Sequence, residues 1–323
     1  MRQLAAVPPV ALACLLVLAG CGLGAGPAPK QVSMVLTSEF GERVLADVPH
    51  PVTKGQETVM SLLLRNQPAV DTRYGGGFVA SIAGHSGHEG AKPVDWFYYV
   101  NGVEAHKGAA ATNVEPGDHI WWDLHDWSQT DDVPAVVGSY PEPFLNGIGG
   151  KRLPVRVECV PGTGAEAACH LVTKRLQADG VPAAVSALGS GGGTDILRVL
   201  VGPWAALRAD TGVASIEQGP RASGVYATFG GHGRTMTLLE ADGHALPLRG
   251  RSAGLIAATR SGEEAPAWVI TGTDQHAVGQ AAADFTREDL RDRFALAVLP
   301  GSADAVPLPV PREDAAAVEG AGG

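Results

Sequence analysis

The chain has 323 residues, with 24 Lys and Arg against 34 Asp and Glu and a net charge of −10. No basic cluster interrupts that acidic balance, which argues against a nucleic-acid partner and against charge-driven binding to anionic lipid. Beyond the first twenty residues about 300 remain, enough for two domains with cores of their own.

Arg2 opens a short positive segment, and an apolar run broken by Pro8 and Pro9 extends from Leu4 to Ala19. That run is too short to span a bilayer as a helix, which takes about 20 apolar residues. It ends in Leu18-Ala19-Gly20-Cys21, the small-residue approach to a cysteine that marks a bacterial lipobox. Residues 1–20 therefore read as a lipoprotein signal peptide, Cys21 as the lipidation site and residues 21–30 as a flexible Gly- and Pro-rich tether. No later segment is long and apolar enough to cross a membrane. The expectation is an exported protein, anchored by lipid on the extracytoplasmic face of the cell membrane.

Residues 31–150 form the first expected domain. Val32 to Leu36 alternates as a strand, and a turn at Ser38 to Gly41 returns it through Val44 to Val48. Thr58 can cap a helix that carries Val59, Leu62 and Leu63 on one face and ends near Asn66. Strands follow at Phe78–Ile82, Trp96–Val100 and His119–Leu124, with Asn101-Gly102 as a turn of the kind hairpins favour. Two strands, a helix and further strands is the order of a β-grasp domain. The runs Trp96-Phe97-Tyr98-Tyr99-Val100-Asn101-Gly102 and Gly117-Asp118-His119-Ile120-Trp121-Trp122 resemble the transcobalamin-like C-terminal domain family. The resemblance covers residues 32–150 and implies a β-grasp-like fold. Vertebrate members of that family use the domain to cover one face of cobalamin, so a corrinoid is the ligand it implies.

Residues 151–299 read as a mixed α/β domain, giving an α+β chain overall. Val155–Val160 is a strand, and Thr163 and Glu166 have capping-box spacing ahead of a helix that stops at Gly180. Strands are predicted at Ile196–Val201, Gly224–Phe229, Met236–Glu240, Gly254–Thr259, Trp268–Thr271 and Phe294–Leu299. Helices are predicted over Gln275–Phe285 and after Thr286. Gly272-Thr273-Asp274 stands where a strand meets a helix, as a cap or as an anion site. Outside the cytoplasm a lone pair such as Cys159 and Cys169 reads as a disulfide by default, although a strand end and a helix interior leave the geometry open. From residue 300 to residue 323 the chain is rich in Pro, Ala and Gly and is expected to be disordered.

Period-two alternation places Ile120, Trp122 and Leu124 on one side of their strand, as core, and Trp121, Asp123 and His125 on the other. A ring mixed with polar groups is how a ligand-facing surface looks, and the alternative is that the rings cover the sheet against the second domain. The expected ligand-binding set is Tyr99, Asn101, Trp121, Asp123, His125, Trp127 and Tyr140. The glycine-rich segments 75–77 and 84–90 could close over a ligand. His85, His88, His119 and His125 are better read as solvated or hydrogen-bonded than as metal ligands, so no metal or cofactor is expected. No nucleophile elbow, zinc-protease motif or phosphate loop occurs, and no enzyme activity is expected. The reading is a binding protein that holds a small molecule, with a corrinoid leading, for a membrane transporter. The rival is a cell-envelope module that binds protein or wall polymer.

Overall fold

The computed structural model describes residues 29–189, 193–248, 250–299 and 305–320. The signal peptide, Cys21 and the tether up to residue 28 lie outside the described residues. Among the described residues the fold is α+β, with four sheets.

In the first region β1 (Ser33–Ser38) and β2 (Arg43–Val48) form a hairpin, followed by α1 (Val59–Asn66). Next come β3 (Val70–Arg73), β4 (Phe78–Ile82) and β5 (His85–Ser86), a small antiparallel sheet. Strands β6 (Val94–Val100), β7 (Val103–Glu104) and β8 (His119–Asp126) complete a five-stranded sheet of order β2-β1-β8-β6-β7. Its two central strands, β1 and β8, run parallel, and α1 packs across it, a β-grasp-like arrangement. Thr58 begins the helix by accepting from the Ser61 amide, while the Ser61 hydroxyl accepts from the Thr58 amide, so two otherwise orphaned donors are satisfied together. Val59, Leu62 and Leu63 are fully buried on the sheet. Asn101 and Gly102 both have positive φ, as the tight turn between β6 and β7 requires.

The second region opens with β9 (Val155–Cys159), α2 (Glu166–Ala178), β10 (Ala183–Ala187), β11 (Leu197–Pro203), α3 (Trp204–Leu207) and α4 (Pro220–Ser223). A meander of β12 (Ala227–Gly230), β13 (Thr235–Leu239) and β14 (Ala245–Pro247) follows. The chain continues through β15 (Gly254–Thr259), β16 (Ala267–Gly272), α5 (Gln275–Ala283), α6 (Arg287–Leu290), β17 (Ala295–Val298), β18 (Val306–Leu308) and α7 (Arg312–Gly320). Seven strands join in the order β10-β9-β11-β16-β15-β17-β18, parallel from β10 to β16 and antiparallel beyond. Helices α2 and α5 cover one face with Val172, Leu176, Val278 and Ala282. Cys159 and Cys169 are joined as a disulfide with Cα atoms 6.0 Å apart, tying the end of β9 to the first turn of α2.

Two sequence expectations are corrected here, and one choice between alternatives is decided. Residues 305–320 are not a disordered tail: β18 pairs with β17, and Leu308, Val310 and Val318 are buried in the core. The alternation of Val306, Leu308 and Val310 is what lets a proline-rich stretch finish a sheet edge. Residues 300–304 and 321–323 lie outside the described residues. The capping box at Thr163 does not form, because its hydroxyl donates to the Val160 carbonyl (2.9 Å) and α2 starts after Ala165 instead. At Gly272-Thr273-Asp274, Asp274 caps α5 by accepting from the Ala277 amide at 2.9 Å, in favour of the cap over the anion site.

Candidate ligand-binding groove

The face of β6 and β8 expected to meet a ligand is closed. Tyr99, Trp121 and Asp123 have no exposure, and side chains of the second region plug the face, among them Phe294. Its centroid lies 5.1–5.5 Å from those of Phe40, Tyr99, Trp121 and His125, in edge-on geometry. Backbones meet closely beside it: Val137 N–H donates to the Phe294 carbonyl at 3.1 Å and Asp292 N–H to the Gly138 carbonyl at 3.2 Å. At Gly41, with φ +87°, a Cβ would stand 1.7 Å from the Asp292 carbonyl oxygen, so no other residue fits there. The rings of Tyr99 and Trp121 therefore belong to the seam between the regions, with nothing left to stack on a flat ligand.

Apart from the Tyr99 hydroxyl, which is buried without a hydrogen-bond partner, the polar members of that face satisfy one another. The Trp121 indole N–H donates to Thr37 Oγ1 (2.6 Å), and Thr37 donates to Asp123 Oδ2 (2.5 Å). Asp123 also accepts from the amides of Phe40 (3.1 Å) and Gly41 (3.0 Å) and pairs with His125 Nδ1 at 2.8 Å. Mutual hydrogen bonding is the condition on which buried polar groups survive in a core. Asn101, fully buried, donates to Asp118 and to the Gly147 carbonyl and accepts from the His119 amide, which fastens the turn rather than a ligand. Tyr140 packs on Trp268 and Phe285 in the other core and donates to Asp179 (2.6 Å). Trp127 is half-buried and donates to Asp95 at 3.0 Å. Of the seven expected residues, His125 lines a groove.

That groove, of about 580 Å³, lies between the two regions. The β1–β2 turn and the first residue of β2 supply Glu39, Phe40, Glu42 and Arg43, and the segment around β5 supplies His85, Ser86, His88 and Lys92. Opposite them stand Glu240 and Asp242 from the β13–β14 turn, and Val310, Arg312 and Glu313 from the C-terminal segment. His125 and Asp126, at the end of β8, also line it. The glycine-rich segment 84–90 thus reaches the groove through its histidines and Ser86, whereas 75–77 does not. Lys92 and Arg312 both bind Asp242, at 2.9 and 3.0 Å, so one carboxylate links the two walls. The Lys92 ammonium above all, with the His244 amide behind it, draws the Asp242 carboxyl down to about 2. Burial raises Glu42 instead, Arg293 opposes that rise, and the neighbouring carboxyls of Asp314, Glu313 and Glu39 add to it.

His85, His88 and His125 all line the groove, but His119 does not join them. His119 sits at the opposite end of β8 from His125, beside Ser33 Oγ (2.9 Å), and burial pushes its ring down to about 4. Among the described residues no group of three or more His, Cys, Asp or Glu side chains could hold a metal ion. No helix among them is long and apolar enough to cross a membrane. The groove residues other than His125 were not singled out as binding residues from sequence. Their signals in sequence were the Ser38–Gly41 turn and the glycine-rich segment 84–90 with its two histidines, and half of one wall comes from the stretch expected to be disordered.

A family model described as a domain of unknown function, DUF4430, matches residues 56–126. The match runs from just before α1 to the last residue of β8, and so contains both aromatic motifs, His125 and the part of the near wall around β5, but not the β1–β2 turn. No curated protein matches the chain.

Proposed function

We propose that this chain is an exported, lipid-anchored binding protein, without catalysis of its own, that holds a small molecule in the groove between its regions and presents it to a membrane transporter. The lipobox at Cys21 supports the anchor. The transcobalamin-like motifs, lying inside the DUF4430 match, support a β-grasp-like domain of a ligand-handling kind. The observation that carries the reading is the groove itself: a space of about 580 Å³ that exists only because both regions contribute walls, floored by a buried histidine. The corrinoid loses the contact first expected for it, since a macrocycle cannot stack on Trp121 and Tyr99 when Phe294 already occupies that face. The ligand is instead sought among molecules that fit the groove.

The test uses the full chain in mild detergent, equilibrated with the small-molecule fraction of spent growth medium and then dialysed. Mass spectrometry after denaturation is expected to find a retained species. Ser86→Trp, at an exposed position on the groove wall, is expected to release it without shifting the melting temperature. Equal retention by both proteins, or by neither, overturns the reading.

A further inference from the structure

We infer that the groove takes a compact organic cation bearing N–H donors, a primary amine above all, with His125 Nε2 as its acceptor and Asp126 and Glu313 as its counter-charges. The inference rests on the groove being the ligand site and names the chemistry of what enters it.

His125 is 2 % exposed, and its surroundings use up everything except one edge. Phe40 and Phe97 stack on its two faces, with centroids at 4.5 and 4.4 Å. Nδ1 is taken by Asp123, whose other bonds come from Thr37 and two backbone amides. A carboxylate that accepts from all sides calls for the ring proton on Nδ1, which leaves a lone pair on Nε2 in the neutral ring. Nε2 has no protein partner among the described residues, and His125 lines the groove. The result is a hydrogen-bond acceptor held rigid by its neighbours and waiting for a donor.

The charges on the walls select which donor. Every lysine and arginine in the lining already has a carboxylate partner: Lys92 and Arg312 pair with Asp242, Arg312 also with Glu240 at 3.8 Å, and Arg43 with Glu39 at 3.4 Å. An anion would have to break those pairs. Two carboxylates remain with no ion-pair partner among the described residues, Asp126 beside His125 and Glu313 on the far wall. Asp126 keeps one oxygen on the Ser128 amide (2.7 Å) and has the other to offer. Carboxyls crowd the Glu313 end, where Glu39, Glu313 and Asp314 all repel Glu42. A cation relieves that repulsion in a cleft whose low-dielectric walls strengthen the attraction beyond its surface value.

Three four-carbon probes of matched length separate the classes by calorimetric titration of the full chain: 1,4-diaminobutane, 1,4-butanediol and succinate. The diamine is expected to bind saturably and at least tenfold more tightly than the diol, and succinate is expected to give no binding. Asp126→Asn together with Glu313→Gln keeps both side-chain shapes and is expected to weaken the diamine at least tenfold. His125→Gln reports on the acceptor, and the carboxamide pair covers the case in which that variant fails to fold. Binding of the diol or succinate as tightly as the diamine overturns the cation assignment, as does a diamine that does not bind or ignores the carboxamide pair. In each of those cases the Ser86→Trp retention experiment still decides independently whether the groove holds a molecule of another class.

Discussion

The two faces of the five-stranded sheet are both buried, and they are buried by different parts of the chain. On one face Met34, Leu36, Tyr98, Ile120 and Trp122 meet α1 and β4, all within the same stretch of sequence. On the other, Val35, Tyr99 and Trp121 meet Tyr226, Phe294 and the strands of the second region, which arrive far later. Both faces alternate equally well in sequence. Alternation tells a strand's two sides apart but says nothing of what comes to lie on them. The polar residues on the distal side, Thr37, Asp123 and His125, mimic a ligand surface because they are hydrogen-bonded to one another rather than to solvent.

The largest effect that could break this comparison comes from the two adjacent tryptophans. Trp121→Ala removes a fully buried ring from the seam and leaves Thr37 without its donor, for an expected loss of about 3–5 kcal/mol in urea unfolding. Trp122→Ala, on the proximal face and 2 % exposed, is expected to cost a similar amount. The difference lies in reach. Only the Trp121 variant is expected to loosen the second region too, as faster amide exchange in β17 around Phe294. A Trp121→Ala protein of undiminished stability would return that ring to the role of an exposed ligand platform.

How far the sequence carried is visible in the same elements. α1, β4 and β15 fall on the residues expected for them, because the Thr58 cap and the apolar runs Phe78–Ile82 and Gly254–Thr259 each encode their element locally. Strand β10 was not anticipated: it is an exposed edge whose Val185 is half open to solvent, so no apolar face marks it. Strand β18 was hidden by its prolines and by a composition typical of tails. The groove was illegible for a deeper reason. Its walls come from a turn at Glu39, a turn at Asp242 and a helix start at Arg312, which no local pattern can place together. His125 was legible as polar among aromatics, and its neighbours in space were not.

A second, smaller effect asks whether the seam makes one cooperative unit. Cys159 and Cys169 are 10 residues apart and both lie in the second region. Closing a loop of that length stabilises the folded state by about 3 kcal/mol through the unfolded chain. The double variant Cys159→Ser with Cys169→Ser is expected to lose about that much. With the rings of Phe40, Trp121 and Phe294 interlocked, the midpoint of the first region is expected to fall in step with that of the second. A first region that unfolds at its original midpoint means that the distal face is covered without being coupled.

The smallest effect sharpens the contrast through pH. Glu104 on β7 pairs in register with Tyr99, on the seam side of the sheet, and accepts from the Val133 amide at 2.7 Å. Burial, reinforced by the carboxylates of Asp132 and Asp131 against that amide's help, pushes it up to about 8. In the unfolded chain it titrates near the usual carboxyl value of about 4.3, so between the two values the folded state holds a proton that the unfolded state does not. Stability therefore falls as pH rises through that interval. Below pH about 6.5 other groups intrude: Asp118 and Asp292, raised by burial to about 6, act in the same sense, and His119, lowered by burial to about 4, acts against them. From pH 6.5 to 8 Glu104 dominates, and the expected loss is about 1–2 kcal/mol, damped because its carboxyl borders a cleft beside Asp118 and Arg260. Glu104→Gln keeps an acceptor for the Val133 amide and cannot titrate, so its unfolding free energy is expected to stay level over that window. A wild-type protein equally level there places the Glu104 carboxyl in solvent, and with it opens the edge of the seam nearest β7.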